Sequence, residues 1–399
     1  MYLILFDDPY CDNLLPFTFT RPVADIRVGI LTIREKWERL TGLTTGTVTR
    51  SYLQTKFPFG NSTNCLFINA ALLPDERLVQ WVSKLKPGQQ LVEGDRLLMA
   101  RFNDWKDSSI QQLMPLANLE TLLYDGQLTF INHSWDIFLK NDQAIKDDFS
   151  LITKGRKSIV ISASNHTIQP DQIFIEEGAK VEYSILNASA GPIYVGAGAE
   201  IMEGSMIRGP FALGEKAQVK MGTKIYGATT IGPGSKIGGE ISNSVIWGNT
   251  NKAHDGFLGN SVIGEWCNLG ADTNNSNLKN NYGEVKVWNY QANDYINTGL
   301  QFCGLFMGDH SKCGINTMFN TGTTAGVFAN IFGAGFPAKF IPSFYWGGAE
   351  GGATFLLDKA LELASAVYAR RGKQFEKVDS AIITHLFMNQ LKPENGELG

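Results

Sequence analysis

The sequence predicts a mixed α/β domain, then a parallel β-helix of triangular section, then a helical tail. Three observations carry that prediction. Val195, Ile201, Ile207, Leu213, Val219, Ile225, Ile231 and Ile237 recur at every sixth position, a spacing that neither a helix nor a plain strand produces. Gly accounts for 42 of 399 residues and Pro for only 14. Gly therefore exceeds its usual share of about 7%, which means tight corners without a flexible linker composition. Before the repeat, short apolar runs alternate with helical spacings, the pattern of a layered α/β domain.

Each element follows in order. Met1–Phe6 is an apolar run ending in Asp7 and Asp8, as a buried parallel strand ends. Ile30, Ile33, Trp37 and Leu40 share one helical face, with Glu35, Lys36, Glu38 and Arg39 on the other. Cys65–Ala71 reads as a second buried strand, and Pro74-Asp75-Glu76-Arg77 as a helix start. These elements define a domain over residues 1–155. The character changes around Lys154–Ile161, and the hexads fill a second domain, 156–335. Small residues at Ala199, Ser205, Ala217, Thr223, Thr229 and Ser235 and glycines at 196, 214, 232 and 238 mark corners. Six residues per side and eighteen per coil stack one inward aliphatic on the next. The pattern resumes at Ile263 and Leu269, and again at Met307, Cys313, Phe319, Ala325 and Ile331. Between them the Asn-rich stretch Asp272–Gln301 breaks the period and is expected to project as an insertion. After Gly333 the repeat stops. Phe336–Trp346 is expected to close the solenoid, Gly347–Gly352 reads as a hinge, and Leu356–Gln390 carries helical spacing interrupted at Arg370-Arg371-Gly372. The segment 336–399 reads as a cap or subunit contact.

Composition excludes several classes. A formal net charge of −4 leaves no basic footprint for nucleic acid or an anionic membrane. No run approaches the roughly 18 apolar residues of a membrane span, and the N-terminus lacks a signal-peptide pattern, so a cytoplasmic protein is expected. The five cysteines are scattered, without a C-x-x-C pair, which fits neither a disulfide framework nor a zinc knuckle. Of the five histidines only His254 and His310 lie in or near regular coils, too few for a zinc site shared between coils.

The chemistry concentrates around His254. It stands in Asn249-Thr250-Asn251-Lys252-Ala253-His254-Asp255-Gly256-Phe257-Leu258-Gly259, followed by Asn268-Leu269-Gly270-Ala271-Asp272-Thr273 and by Ser276-Asn277-Leu278-Lys279-Asn280-Asn281-Tyr282-Gly283. This series resembles the acetyltransferase half of the bacterial bifunctional N-acetylglucosamine-1-phosphate uridyltransferase/glucosamine-1-phosphate acetyltransferase family. The resemblance implies a left-handed hexapeptide-repeat β-helix, acetyl-CoA as cosubstrate, and a homotrimer with coenzyme A between neighbouring subunits. Residue by residue, it implies His254 as the general base for the attacking amine, a role suited to a neutral imidazole. Asn277 falls near that base or the coenzyme, and Asn268 and Phe257 on the sugar side, Phe257 replacing a family Tyr. Ala271 and Asp272 fall on the coenzyme A path, Asp272 replacing a Gly. Lys286 matches a sugar- or phosphate-side Lys. Arg208-Gly209-Pro210 resembles the motif whose Arg grips the sugar phosphate, with Lys220 or Lys224 as its companion; a guanidinium binds phosphate in bidentate fashion.

The first domain resembles the sugar nucleotidyltransferase half of the same family, as a divergent branch. Arg21 and Lys36 stand for the catalytic Arg and the phosphate-holding Lys. Phe6-Asp7-Asp8-Pro9 stands where glycines would cradle the nucleotide phosphates, and Asn69 where a Mg²⁺-binding Asp is expected. Arg27 is a further phosphate candidate, and Asp7, Asp8 and Asp25 are candidate metal ligands without a telling spacing. The reading is a sugar-1-phosphate nucleotidyltransferase/N-acetyltransferase of nucleotide-sugar synthesis, taking a sugar phosphate, a nucleoside triphosphate and, in the first domain, Mg²⁺. Three alternatives stand beside it: an acyltransferase whose first domain only binds sugar nucleotide, a nucleotidyltransferase with the β-helix as oligomer scaffold, and a sensor without turnover.

Overall fold

The computed structural model describes residues 1–60, 63–105 and 115–390; positions 391–399 of the expected tail lie outside the described residues. Two compact units emerge. One comprises Met1–Ile26, Leu31–His133 and Glu376–His385; the other comprises Arg27–Ile30, Ser134–Phe375 and the chain from Leu386 onward.

The first unit is built on a mixed six-stranded sheet. Its strands are β1 (Tyr2–Phe6), β2 (Thr45–Val48), β3 (Thr63–Asn69), β4 (Gln89–Glu93), β5 (Arg96–Asp104) and β6 (Glu120–Leu123), in the order β2-β1-β3-β5-β4-β6. β1 pairs parallel with β2 and β3, and β5 runs antiparallel to β3 and β4. The apolar run at the N-terminus is buried on both faces because it is central, as parallel strands are. Helix α1 (Ile33–Thr41) starts three residues later than the apolar spacing from Ile30 predicts. Thr32 accounts for the difference: Glu35 N–H donates to Thr32 Oγ1 at 3.2 Å and Thr32 N–H donates to Glu35 Oε2 at 2.6 Å. This reciprocal cap satisfies donors that would otherwise be orphaned. The helix at Glu76–Lys84 begins where Pro74–Arg77 signals it, with Leu78 N–H donating to Asp75 Oδ1 at 2.7 Å.

The second unit is a parallel β-helix with three faces. The first face holds six strands from His166–Ile168 to Phe257–Gly259, the second nine from Ile173–Ile175 to Phe340–Ile341, and the third ten from Lys180–Val181 to Gly351–Thr354. Ile193 pairs with Phe211 and Phe211 with Thr229, eighteen residues apart each time. The hexad aliphatics point inward and form one continuous core.

The structure corrects the sequence reading in three places. The β-helix does not pause after Ile237: Thr230 pairs with Val245, then Val245 with Val262, so two shorter coils hid the period. The Asn-rich stretch leaves the coil later than expected, since Asn274–Asn275 still pairs with Met318–Phe319. Beyond it lies an antiparallel hairpin, Lys286–Asn289 with Asp294–Asn297. The repeat also continues past Gly333, through Phe340–Ile341 and Tyr345–Gly348, and the glycines at 347, 348, 351 and 352 form no hinge but the paired strand ends of a terminal hairpin that turns at Ala349-Glu350. In that hairpin a Cβ on Gly347 would meet Gly351 O at 2.4 Å, so the two strands approach closely only as glycine.

Helices at Leu357–Arg370 and Lys377–Gln390 follow, separated where Arg371-Gly372 predicts a stop. Gly372 takes φ +64°, the left-handed conformation that ends helices.

The inward column is the solenoid's main source of stability. Leu213, Ile231 and Ile246 are adjacent in register and fully buried. Ile231→Ala is expected to destabilise the β-helix by about 2–5 kcal/mol, the usual cost of a buried Ile-to-Ala cavity. Denaturant unfolding should show the loss in the β-helix transition and leave the α/β unit's transition unchanged.

Candidate functional site

The corners between the third and first faces stack into one edge of the β-helix. Successive coils bring to it Met202, Lys220 and Met221, Gly238 and Gly239, Ala253–Asp255, and Ala271 and Asp272. Together they line an open groove of about 680 Å³, within the range of small-molecule sites. His254 is exposed in this groove, and among the described residues its imidazole has no hydrogen-bond partner. Its corner rests on two glycines. A Cβ on Gly238 would lie 2.6 Å from Ala253 O, and one on Gly239 2.6 Å from Gly256 O. Asp272, expected where Gly would stand, takes φ +57°, which Asp tolerates better than most residues.

Beneath the corner lies a residue that the hexads did not single out. Lys252 occupies the inward column of the third face, in register with Ile237, and is 1% exposed. Its Nζ donates to the carbonyls of His254 at 2.9 Å, Gly238 at 3.1 Å and Asp255 at 3.2 Å. Burial pulls the ammonium down to about 8, with Asp255 pulling it back upward. The available signal was a lysine one coil after Ile237 in an otherwise aliphatic column, masked by the shortened coil.

The predicted site residues divide. His254, Lys220, Ala271 and Asp272 meet in the groove, and Lys220, not Lys224, is the lysine there. Lys224 is exposed on the first face. Arg208 opens on the opposite edge of that face, in a second pocket lined also by Asn243 and Asn260. Asn277 belongs with that edge, since its Nδ2 donates to Asn260 Oδ1 at 2.8 Å. Phe257 bridges toward it: a Cβ on Gly259 would meet the Phe257 ring at 2.5 Å and Asn277 Nδ2 at 2.7 Å. Asn268 is exposed on the third face and Lys286 on the hairpin.

In the α/β unit, the crevice beyond the carboxyl ends of β1 and β3 is where open α/β sheets bind ligands. Side chains of the chain itself fill it. Asp8 accepts hydrogen bonds from Arg96 Nε at 2.8 Å, from Asn69 Nδ2 at 2.9 Å and from Tyr10 N–H at 3.0 Å. The Arg96 guanidinium stacks 3.6 Å from the centre of the Phe130 ring. Asn69 also donates to Leu97 O and accepts from Ala71 N–H, so its amide is fully engaged. Asp25 is gripped by two nitrogens of Arg34 at 2.8 Å. These residues do not fit a Mg²⁺ ion: the Asp8 and Asp25 carboxylates already hold guanidinium groups, and Asn69 offers a neutral amide oxygen that already accepts from Ala71 N–H. Among the described residues no group of three or more His, Cys, Asp or Glu gathers as a metal site. Arg21 is half-buried before the Val23–Asp25 turn. Lys36, expected to face phosphate, is 5% exposed and packs into the unit. Arg27 donates back to the carbonyl of Ile30.

Asp7 is fully enclosed, accepting from Thr49 Oγ1 at 2.6 Å and Val23 N–H at 2.9 Å. Burial pushes its carboxyl up from 3.8 to about 6, against the opposing pull of Thr49, Arg50 and Val23. The folded state therefore holds the proton longer than the unfolded chain, and stability falls as pH rises from about 4 to 6, then levels. Asp7→Asn removes that titration. Denaturant midpoints at both ends of the interval should shift in the variant's favour toward pH 6; an unchanged difference would contradict the assignment.

This is a β-helix with an open groove along one edge, preceded in the chain by a nucleotidyltransferase-like α/β domain. Residues 3–157 match the family model described as sugar nucleotidyl transferase. The chain is 38% identical over 144 residues to a bifunctional sugar-1-phosphate nucleotidylyltransferase/acetyltransferase of Sulfurisphaera tokodaii, covering 36% of this chain and 35% of that protein. It is 33% identical over 213 residues to the bifunctional protein GlmU of Methanococcus maripaludis, covering 53% and 45%. It is 38% identical over 140 residues to an Escherichia coli protein named uncharacterized acetyltransferase YaiX, covering 35% and 60%. In each case the match spans less than two thirds of the relative's length. These findings support a divergent branch of the GlmU-like family, and relatives named as nucleotidylyltransferases and acetyltransferases support a transferase. No helix among the described residues is long and apolar enough to cross a membrane.

Proposed function

We propose that the protein transfers an acetyl group from acetyl-CoA to the amine of an amino-sugar phosphate in the groove at His254, within the synthesis of a UDP-N-acetylglucosamine-like nucleotide sugar. The observation that carries the reading is an exposed imidazole, without a hydrogen-bond partner among the described residues, that lines an open groove on a β-helix edge. The amine nitrogen attacks the thioester carbonyl while neutral His254 takes its proton. The tetrahedral intermediate then collapses, the carbon–sulfur bond breaks, and the imidazolium returns the proton to the departing thiolate. Lys220 supplies the positive charge in the groove for a phosphate, and the Ala271–Asp272 corner borders the path of the pantetheine arm. Assembly as a homotrimer, with the coenzyme between subunits, belongs to the same proposal, as does a cytoplasmic location.

A second reading concerns the α/β domain. The domain takes sugar phosphate or sugar nucleotide without joining it to a nucleoside triphosphate. The Asp8–Arg96–Asn69 cluster favours this, because a carboxylate stands where a nucleotidyltransferase presents backbone N–H groups to phosphates.

Thiol release from acetyl-CoA with glucosamine-1-phosphate tests the first reading. His254→Ala should slow turnover by roughly 10²–10⁴-fold, the contribution of a general base. Absence of release by the native protein across several amino-sugar phosphates would refute acetyl transfer. Pyrophosphate release from UTP with N-acetylglucosamine-1-phosphate would decide against the second reading.

A further inference from the structure

We propose that Lys252 is a positioning residue for the acyl-transfer groove: by binding the carbonyls of Gly238, His254 and Asp255 at once, it fixes the corner that presents the His254 imidazole. The inference rests on the reading of His254 as the base.

Lys252 stands in a column whose neighbours in register are Ile201, Val219, Ile237, Leu269, Cys313 and Ile331. An aliphatic residue would fill that place without the cost of removing a charge from water. The solenoid accepts that cost at this rung of the column, directly beneath the groove. Three hydrogen bonds from a charged donor offset it. With 1% of its surface exposed, the ammonium touches no ligand, so its effect passes through the backbone it holds.

What it holds is the piece of backbone that needs an anchor. His254 and Asp255 are exposed and lie outside the strands. The imidazole has no side-chain partner among the described residues, so its direction depends on the backbone of the corner. Lys252 ties that backbone both to itself and to Gly238, one coil below. The two glycines let the coils approach closely, and the lysine joins them across the corner. An imidazole misplaced by an ångström would lose much of its rate as a base.

Two full-length variants test this. Lys252→Met keeps the apolar stem, and Lys252→Ile restores the column. Both are expected to fold with an unchanged or raised melting temperature, because a buried charge is removed. Both should lower kcat for thiol release by about 10- to 100-fold, with the KM for acetyl-CoA held within about threefold, since the groove walls remain. Combined with His254→Ala, the Lys252 change should slow turnover no further than His254→Ala alone. An unchanged kcat, or losses that multiply in the double variant, would overturn the proposal. If the native protein releases no thiol, the acyl-transfer reading fails on its own, and amide exchange at residues 253–257 decides the rest. Faster exchange there in Lys252→Met upholds the role in holding the corner, and equal exchange overturns it.

Discussion

Everything in the second unit depends on one constraint: each coil must return an apolar side chain to the same three inward columns. A coil that meets it is free to vary at its corners, and the groove is built from those corners. The constraint explains why the solenoid tolerates coils of fifteen and seventeen residues after Ile237, since a shortened corner leaves Val245, Ile246, Val262 and Ile263 in line. It also explains why a long excursion between Asn275 and Cys303 does no damage. The chain leaves at one corner and rejoins the second face at Leu305–Met307, against Val262–Ile263.

The same constraint makes the exceptions informative. A lysine in an aliphatic column is a local conflict between sequence and fold, and such conflicts in native proteins tend to mark functional places. At Lys252 the β-helix gives up apolar packing, and its three hydrogen bonds all end on backbone at or beside the His254 corner. The α/β unit shows a related exchange. The crevice that its topology offers to a ligand contains Asp8, Asn69 and Arg96 engaged with one another. Its polar groups are satisfied internally, whereas those of the β-helix groove are turned outward.

The solenoid was legible in the sequence because period six has no other physical source, and the helix starts at Thr32 and Asp75 were legible in their capping residues. The continuation after Ile237 was not legible, because a period search registers a shortened corner as a break. The glycines 347–352 misled for a different reason. Composition alone does not separate a hinge from a hairpin in which two glycine strands approach closely. Of the site, His254, Lys220, Ala271 and Asp272 were readable from motif and come together. Arg208 and Asn277 were equally readable yet lie on the other edge of the first face, since spacing along a solenoid does not say which corner a residue occupies. Lys252 stands within the His254 motif, but its burial is not evident from the sequence, because inward direction follows from register and the shortened coil hides the register there.

The measurement that tests the account most directly is a crystal structure of the protein with coenzyme A. The pantetheine arm is expected in the groove bordered by Met202, Lys220, Gly238 and Asp272, with the thiol within hydrogen-bond reach of the His254 imidazole. A coenzyme whose thiol lies at any other edge of the β-helix, or in the α/β unit, would contradict it.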